Sequence, residues 1–81
     1  MKVPRDLSGT ELARALRRFG YEIVRQTGSH LRLTRHHAGA DQHITIPSHK
    51  LLKIGTLNNI LGDIALQVGI TKDELVEKLF S

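Results

Sequence analysis

A glycine, a serine and a histidine follow one another at Gly28–His30, where one candidate strand ends and the next begins. A histidine side chain exchanges protons near neutral pH, which suits it to general acid–base catalysis. Arg32 lies two residues further on, so in an extended strand its guanidinium shares a face with the imidazole. A proton-transfer group beside a fixed cation suits a reaction that develops negative charge. His30 is therefore the candidate catalytic residue.

Positive charge is concentrated in the first three quarters of the chain. Of the 81 residues, 12 are Lys or Arg and 8 are Asp or Glu, which gives a formal net charge of +4. Up to Ile60 there are ten basic residues against four acidic ones, and the remainder holds two against four. Most of these cations are arginines, whose guanidinium binds phosphate through two hydrogen bonds. The balance favours a nucleic-acid partner, and RNA carries its own nucleophile in the 2′-hydroxyl group.

Several classes of protein are excluded by composition. Cysteine is absent, which rules out a disulfide scaffold and a thiolate metal site. No apolar run approaches the roughly 20 residues of a membrane helix, and the first residues lack the hydrophobic core of a signal peptide. His36, His37 and His43 lack acidic or cysteine partners at metal-ligand spacing, so we expect no metal and no cofactor. We expect one soluble, cytoplasmic domain spanning residues 1–81.

Local signals predict an α+β domain with the element order α-β-β-β-α-α. A capping box at Ser8–Glu11 opens the first helix, and alternation in the first strand groups Tyr21, Ile23 and Arg25 on one side. The helices should cover one face of a three-stranded antiparallel sheet and leave the other face free for function. The predicted elements are a helix at about Gly9–Phe19, strands at Tyr21–Gln26, His30–Thr34 and Gln42–Ile46, a helix from Leu57 to Gly69, and a short final helix opened by Thr71.

Several spaced motifs in this order resemble one known family. They are Gly28–His30 between the first two strands, Pro47–His49 after the third strand, and the segment Leu52–Leu61 at the start of the second helix. Together they resemble the HicA family of mRNA interferase toxins from type II toxin-antitoxin systems, also called YcfA-like. The resemblance covers about Ser8–Gly69 and continues into the acidic segment Thr71–Leu79.

The resemblance implies a fold similar to the double-stranded RNA-binding domain, mRNA-cleaving activity and a catalytic histidine at the position of His30. It also implies a separate partner chain, an antitoxin of the HicB type that covers the catalytic face. The chain departs from many members just after Leu57, where Asn58, Asn59 and later Asp63 replace basic residues. The resemblance therefore gives no support for RNA contact along that helix, which stays open.

The remaining candidate residues are expected to contact RNA phosphate. Gly28 would let the backbone approach a phosphate, Ser29 could donate a hydrogen bond to it, and Arg32 and Lys50 would supply positive charge. His49 matches a histidine that recurs in the resembled family, either as a second acid–base group or as a phosphate donor. An ordinary loop residue is the alternative for His49.

Two other functions remain open on the sequence. The same fold and basic face would serve a non-catalytic double-stranded-RNA-binding module in which His30 only contacts the backbone. The basic face would also serve an interaction protein with an acidic partner. Steep salt dependence of RNA binding would favour either RNA function over the third, because phosphate contacts release counterions.

Overall fold

The computed structural model describes residues 3–80 and has the predicted α+β architecture. Three antiparallel strands in the order β1-β2-β3 form one open sheet, and three helices bury it from one side. The elements are α1 at Gly9–Ala15, a 3₁₀ helix at Leu16–Phe19, β1 at Tyr21–Gln26, β2 at His30–His37, β3 at Ala40–Pro47, α2 at Ile54–Val68 and α3 at Lys72–Phe80.

The two faces of the sheet differ in chemistry because side chains alternate along each strand. Leu31 lies opposite Ile46, and these side chains, with those of the next apolar pair along, are buried under the helices on what we call the core face. His30, Arg32 and Thr34 on β2 point the other way, onto what we call the open face. The predicted free face of the sheet is therefore present, and His30 lies on it.

Apolar side chains from all seven elements named above meet between the sheet and the helices. The helices contribute at helical spacing, so each presents one stripe to the core. The buried set from the helices comprises Leu12, Ala13, Leu16, Leu57, Ile60, Leu61, Ile64, Ala65, Leu75, Val76 and Leu79. Among residues 3–80, no helix combines the length and apolarity needed to span a membrane.

The predicted capping box at the start of α1 is confirmed. The Glu11 backbone N–H donates to Ser8 Oγ at 3.1 Å, and the Ser8 N–H donates to Glu11 Oε1 at 3.0 Å. The backbone hydrogen bond from Ser8 lowers the pKa of Glu11. After Ala15 the helix tightens into the 3₁₀ turn and ends at Gly20, whose φ is 90°. Thr71 and Glu74 cap α3 in the same way.

Three elements are longer than predicted, namely α2, β2 and β3. α2 begins at Ile54, after Lys53, whose backbone carbonyl accepts from the Leu57 N–H at 2.9 Å. The apolar period starts only after the exposed first turn, so it did not indicate this earlier start. β2 and β3 continue to the tight turn at Ala38–Gly39, where both residues have positive φ. Positive φ at both central residues is the geometry that joins antiparallel strands through two residues.

The alternation predicted for β1 was wrong at Arg25. Ile23 lies opposite Leu33, but Arg25, not Val24, lies opposite Arg32, so one extra residue interrupts the pairing. Such a β-bulge shifts all following side chains to the other face. Tyr21 and Ile23 therefore share the core face, whereas Arg25 lies on the open face.

A polar network fastens the end of α2 to the sheet. Tyr21 is fully buried, and its hydroxyl donates a hydrogen bond to Gln67 Oε1. Arg35 donates from Nε to the Phe19 carbonyl at 2.8 Å and from Nη1 to Gln42 Oε1. Gln42 Nε2 donates to the Gln67 carbonyl at 3.0 Å. Arg35 is thus a structural cation on the core face.

Replacing Gly9 should destabilise the fold. A Cβ atom there would overlap the carbonyl oxygen of Pro47, which is backbone and cannot rotate away. We expect Gly9→Ala to lower the free energy of unfolding by about 2 kcal/mol, as overpacking does. Gly28→Ala is the matched control, because a Cβ at Gly28 meets nothing within 4 Å. Urea denaturation of both variants checks this, and equal stability of the two would contradict the packing argument.

The buried phenol should make stability depend on pH in the alkaline range. Burial raises the pKa of Tyr21 above its ordinary value of 10.0. Folding therefore favours the protonated phenol. Its contribution to the free energy of unfolding is complete below pH 10.0 and is lost as pH rises through the folded-state pKa. Because Tyr21 is the sole tyrosine, ultraviolet absorbance should report a phenol that titrates above 10.0 in the folded protein. Tyr21→Phe should remove the corresponding alkaline loss of stability, and an unshifted titration would show that the phenol is accessible.

Candidate active site

His30 is held at the start of β2 by a two-residue turn. The Thr27 N–H donates to the His30 carbonyl at 2.9 Å, and the His30 N–H donates to Thr27 Oγ1 at 3.1 Å. Gly28 and Ser29 form the two-residue connection. The threonine side chain replaces a backbone acceptor in this closure, so the backbone beneath the imidazole is fixed by short-range contacts.

The His30 ring is exposed, and within residues 3–80 only its Nδ1 atom has a hydrogen-bond partner. Its Nδ1 lies 2.8 Å from Ser29 Oγ, and the side chain is exposed to solvent. A hydroxyl can donate or accept, so Ser29 can partner Nδ1 in either tautomer of the ring. The Nε2 atom can then take up or release a proton while the ring keeps its orientation.

The turn is fastened from outside by the segment that follows β3. The Ser48 N–H donates to the Ser29 carbonyl at 2.9 Å, and Ser48 Oγ donates to the Gly28 carbonyl at 3.2 Å. The Gly9 N–H donates to the His49 carbonyl at 3.0 Å, which brings the start of α1 to the same place. Residue types around Ser48 gave no signal for this role, because it depends on which strand ends meet.

The structure places the predicted site residues at different distances from the imidazole. Ser29 contacts His30 directly. Arg32 lies two residues further along β2, on the same open face as His30. The His49 side chain is exposed, and its backbone carbonyl accepts the hydrogen bond from the Gly9 N–H. Lys50 is the next exposed residue of the same loop. No polar contact of the His49 or Lys50 side chains occurs among residues 3–80.

Gly28 is free of structural demands. Its φ is not positive, and open space surrounds the position where a Cβ would lie. The fold therefore does not require glycine here, and a role for Gly28 in letting a phosphate approach stays a prediction. Contact between Ser29 and phosphate stays a prediction. The hydroxyl of Ser29 contacts the His30 imidazole, which the sequence did not indicate.

His36 and His43 lie on the open face, further along the β2–β3 hairpin from His30. His36 Nδ1 is 2.5 Å from Asp41 Oδ1, and His43 Nδ1 is 2.9 Å from Thr34 Oγ1. Asp41 was not recognised as a partner of His36, because hairpin register and not sequence spacing brings them together. Within residues 3–80 no group of three or more His, Asp or Glu side chains is arranged to hold a metal ion.

Comparison with known proteins gives one match. The family model described as the HicA toxin of bacterial toxin-antitoxin systems matches residues 9–66, which include the whole sheet, the first hairpin turn and most of α2. No curated protein and no solved structure matches the chain. The matched segment is well over half of the chain, and membership in a toxin-antitoxin family entails an antitoxin partner. The chain belongs to the HicA toxin family of bacterial toxin-antitoxin systems.

Proposed function

We propose that this toxin is a metal-independent endoribonuclease that cleaves mRNA with His30 as its acid–base group. The observation that carries the proposal is the exposed imidazole on the open face, with Nδ1 beside Ser29 Oγ and with Nε2 bonded to none of residues 3–80. The basic character of the chain up to Ile60 supports a polyanionic substrate.

The chemistry needs only one proton acceptor at the attacking oxygen. His30 Nε2 removes the proton of a ribose 2′-hydroxyl, and the freed oxygen attacks the adjacent phosphorus. The bond from phosphorus to the 5′-oxygen breaks, and that oxygen leaves with a proton supplied by solvent or by His49. The products are a 2′,3′-cyclic phosphate and a 5′-hydroxyl. A metal is not required, because the substrate supplies the nucleophile and cationic side chains supply the charge.

The neighbouring residues take supporting roles in this proposal. Ser29 is a positioning residue that keeps the ring aligned during proton transfer. Gly28 leaves room for the phosphate, Arg32 stabilises the developing negative charge, and Lys50 attracts the RNA. A separate antitoxin of the HicB type would neutralise the toxin in the cytoplasm by covering the same face.

Removing the imidazole should abolish cleavage without unfolding the protein. We expect His30→Ala to lower the rate of cleavage of a labelled RNA by at least about a hundredfold, the usual contribution of a general base. The side chain is exposed, so the unfolding midpoint should stay unchanged. His37→Ala is the matched control, because it removes an exposed imidazole at the distal hairpin. Assays with a metal chelator present should give the same rates.

A His30→Ala variant that cuts RNA as fast as wild type would end the catalytic assignment. Wild-type protein that binds RNA but never cuts it would instead support the non-catalytic RNA-binding module. Toxicity gives a second readout, because expression of His30→Ala should not arrest growth, whereas His37→Ala should.

The substrate's own hydroxyl gives an independent check. A single 2′-deoxy nucleotide on the 5′ side of the mapped cleavage point removes the attacking group, so the wild-type enzyme should leave that bond intact. A 2′-deoxy nucleotide several positions away is the control and should leave cleavage there unchanged. Cleavage at the deoxy position would show that water is the nucleophile.

A further inference from the structure

The β1 bulge places two arginines directly opposite each other on the open face. Arg25 pairs with Arg32, and Thr45 lies on the other side of Arg32 in β3, so one row crosses all three strands. Val24, the extra residue, is 56% exposed and does not belong to the hydrophobic core. The visible effect of the bulge is therefore to move a cation from the core face to the open face, and bulges near functional sites commonly re-aim side chains in this way.

This arginine pair is unfavourable for the free protein. Like charges directly opposite each other in antiparallel strands repel. Across residues 3–80 the ion pair found within 4.0 Å joins His36 and Asp41, so neither arginine has a carboxylate partner. Glu22 shares the open face one row away, opposite Thr34, without bonding to either guanidinium. Two exposed arginines at opposite positions of neighbouring strands, neither paired with a carboxylate among residues 3–80, suit an anionic ligand.

The row containing the arginine pair adjoins the row containing His30. One step between rows on the same face is two residues of a strand, roughly 6.6 Å. Building on the proposed ribonuclease function, we propose that Arg25 and Arg32 jointly bind one backbone phosphate of the RNA and so set the position of the chain beside His30. The guanidinium forks would contact the non-bridging oxygens of that phosphodiester.

Binding measurements in a His30→Ala background test this without cleavage. We expect Arg25→Gln to weaken binding of a short single-stranded RNA about tenfold and to reduce the slope of log Kd against log salt by roughly 0.7. Arg25→Lys should restore most of the slope, because it keeps the charge. Lys78→Gln is the matched control for the loss of one positive charge, since Lys78 lies on α3 in the helical layer, and it should change neither value.

A double-mutant cycle tests whether the two arginines share one phosphate. Arg25→Gln and Arg32→Gln together should weaken binding less than the product of the single effects, because the two losses are not independent. Strictly multiplicative effects, an Arg25→Gln variant that matches Lys78→Gln, or a parent that binds no RNA would each overturn the shared site.

Failure of the shared site and failure of the ribonuclease function give different results. If Arg25→Gln binds RNA like its parent while the enzyme with His30 intact cleaves RNA, the shared site is wrong and the proposed function stands. If the enzyme never cleaves but Arg25→Gln and the cycle behave as expected, the shared site stands and the proposed function is wrong.

Discussion

The close packing of the Gly9 backbone against Pro47 is the contact on which the rest of the arrangement depends. A side chain at position 9 would overlap the Pro47 carbonyl, so α1 approaches the end of β3 only because this residue has no Cβ. The same approach lets the Gly9 N–H reach the His49 carbonyl. Ser48, between these two contacts, is thereby positioned to bond the turn that carries His30. The packing of α1 and the position of the His30 imidazole therefore depend on the same set of backbone contacts.

In this small domain one face of the sheet provides the stabilising core, and the other face carries the candidate functional side chains. An 81-residue chain can build only one modest core, and here that core occupies a single face of the sheet. The core face of the sheet and the helix stripes packed against it are apolar apart from the network around Gln67. Among residues 3–80 the hydrophobic core includes no side chain of the open face, so the histidines and arginines there are not constrained by core packing. Arg35 illustrates the division, because it is a cation of β2 that lies on the core face and serves only to bind carbonyl and amide oxygens.

Much of the architecture follows from local sequence signals, and the rest from long-range pairing. The capping residues of α1 and α3, the three strands and the exposed position of His30 all follow from spacing over a few residues. The face of Arg25 does not, because the bulge at Val24 is marked by no glycine or proline and depends on how β1 aligns with β2. The same holds for Ser48, for Asp41 beside His36, and for the hydroxyl of Tyr21 reaching Gln67, which lies 46 residues away. These contacts depend on the register of the sheet and on how α2 and the segment after β3 pack against it.

The irregularity in β1 has a consequence for solubility as well. β1 is an outer strand, so one row of its backbone N–H and C=O groups is not used by the sheet. A regular outer strand invites a second copy of the chain to add on and begin aggregation. The bulge breaks the even spacing of those groups and leaves a charged side chain beside the break. An outer strand built in this way remains a poor template for self-association even while its neighbouring surface stays exposed.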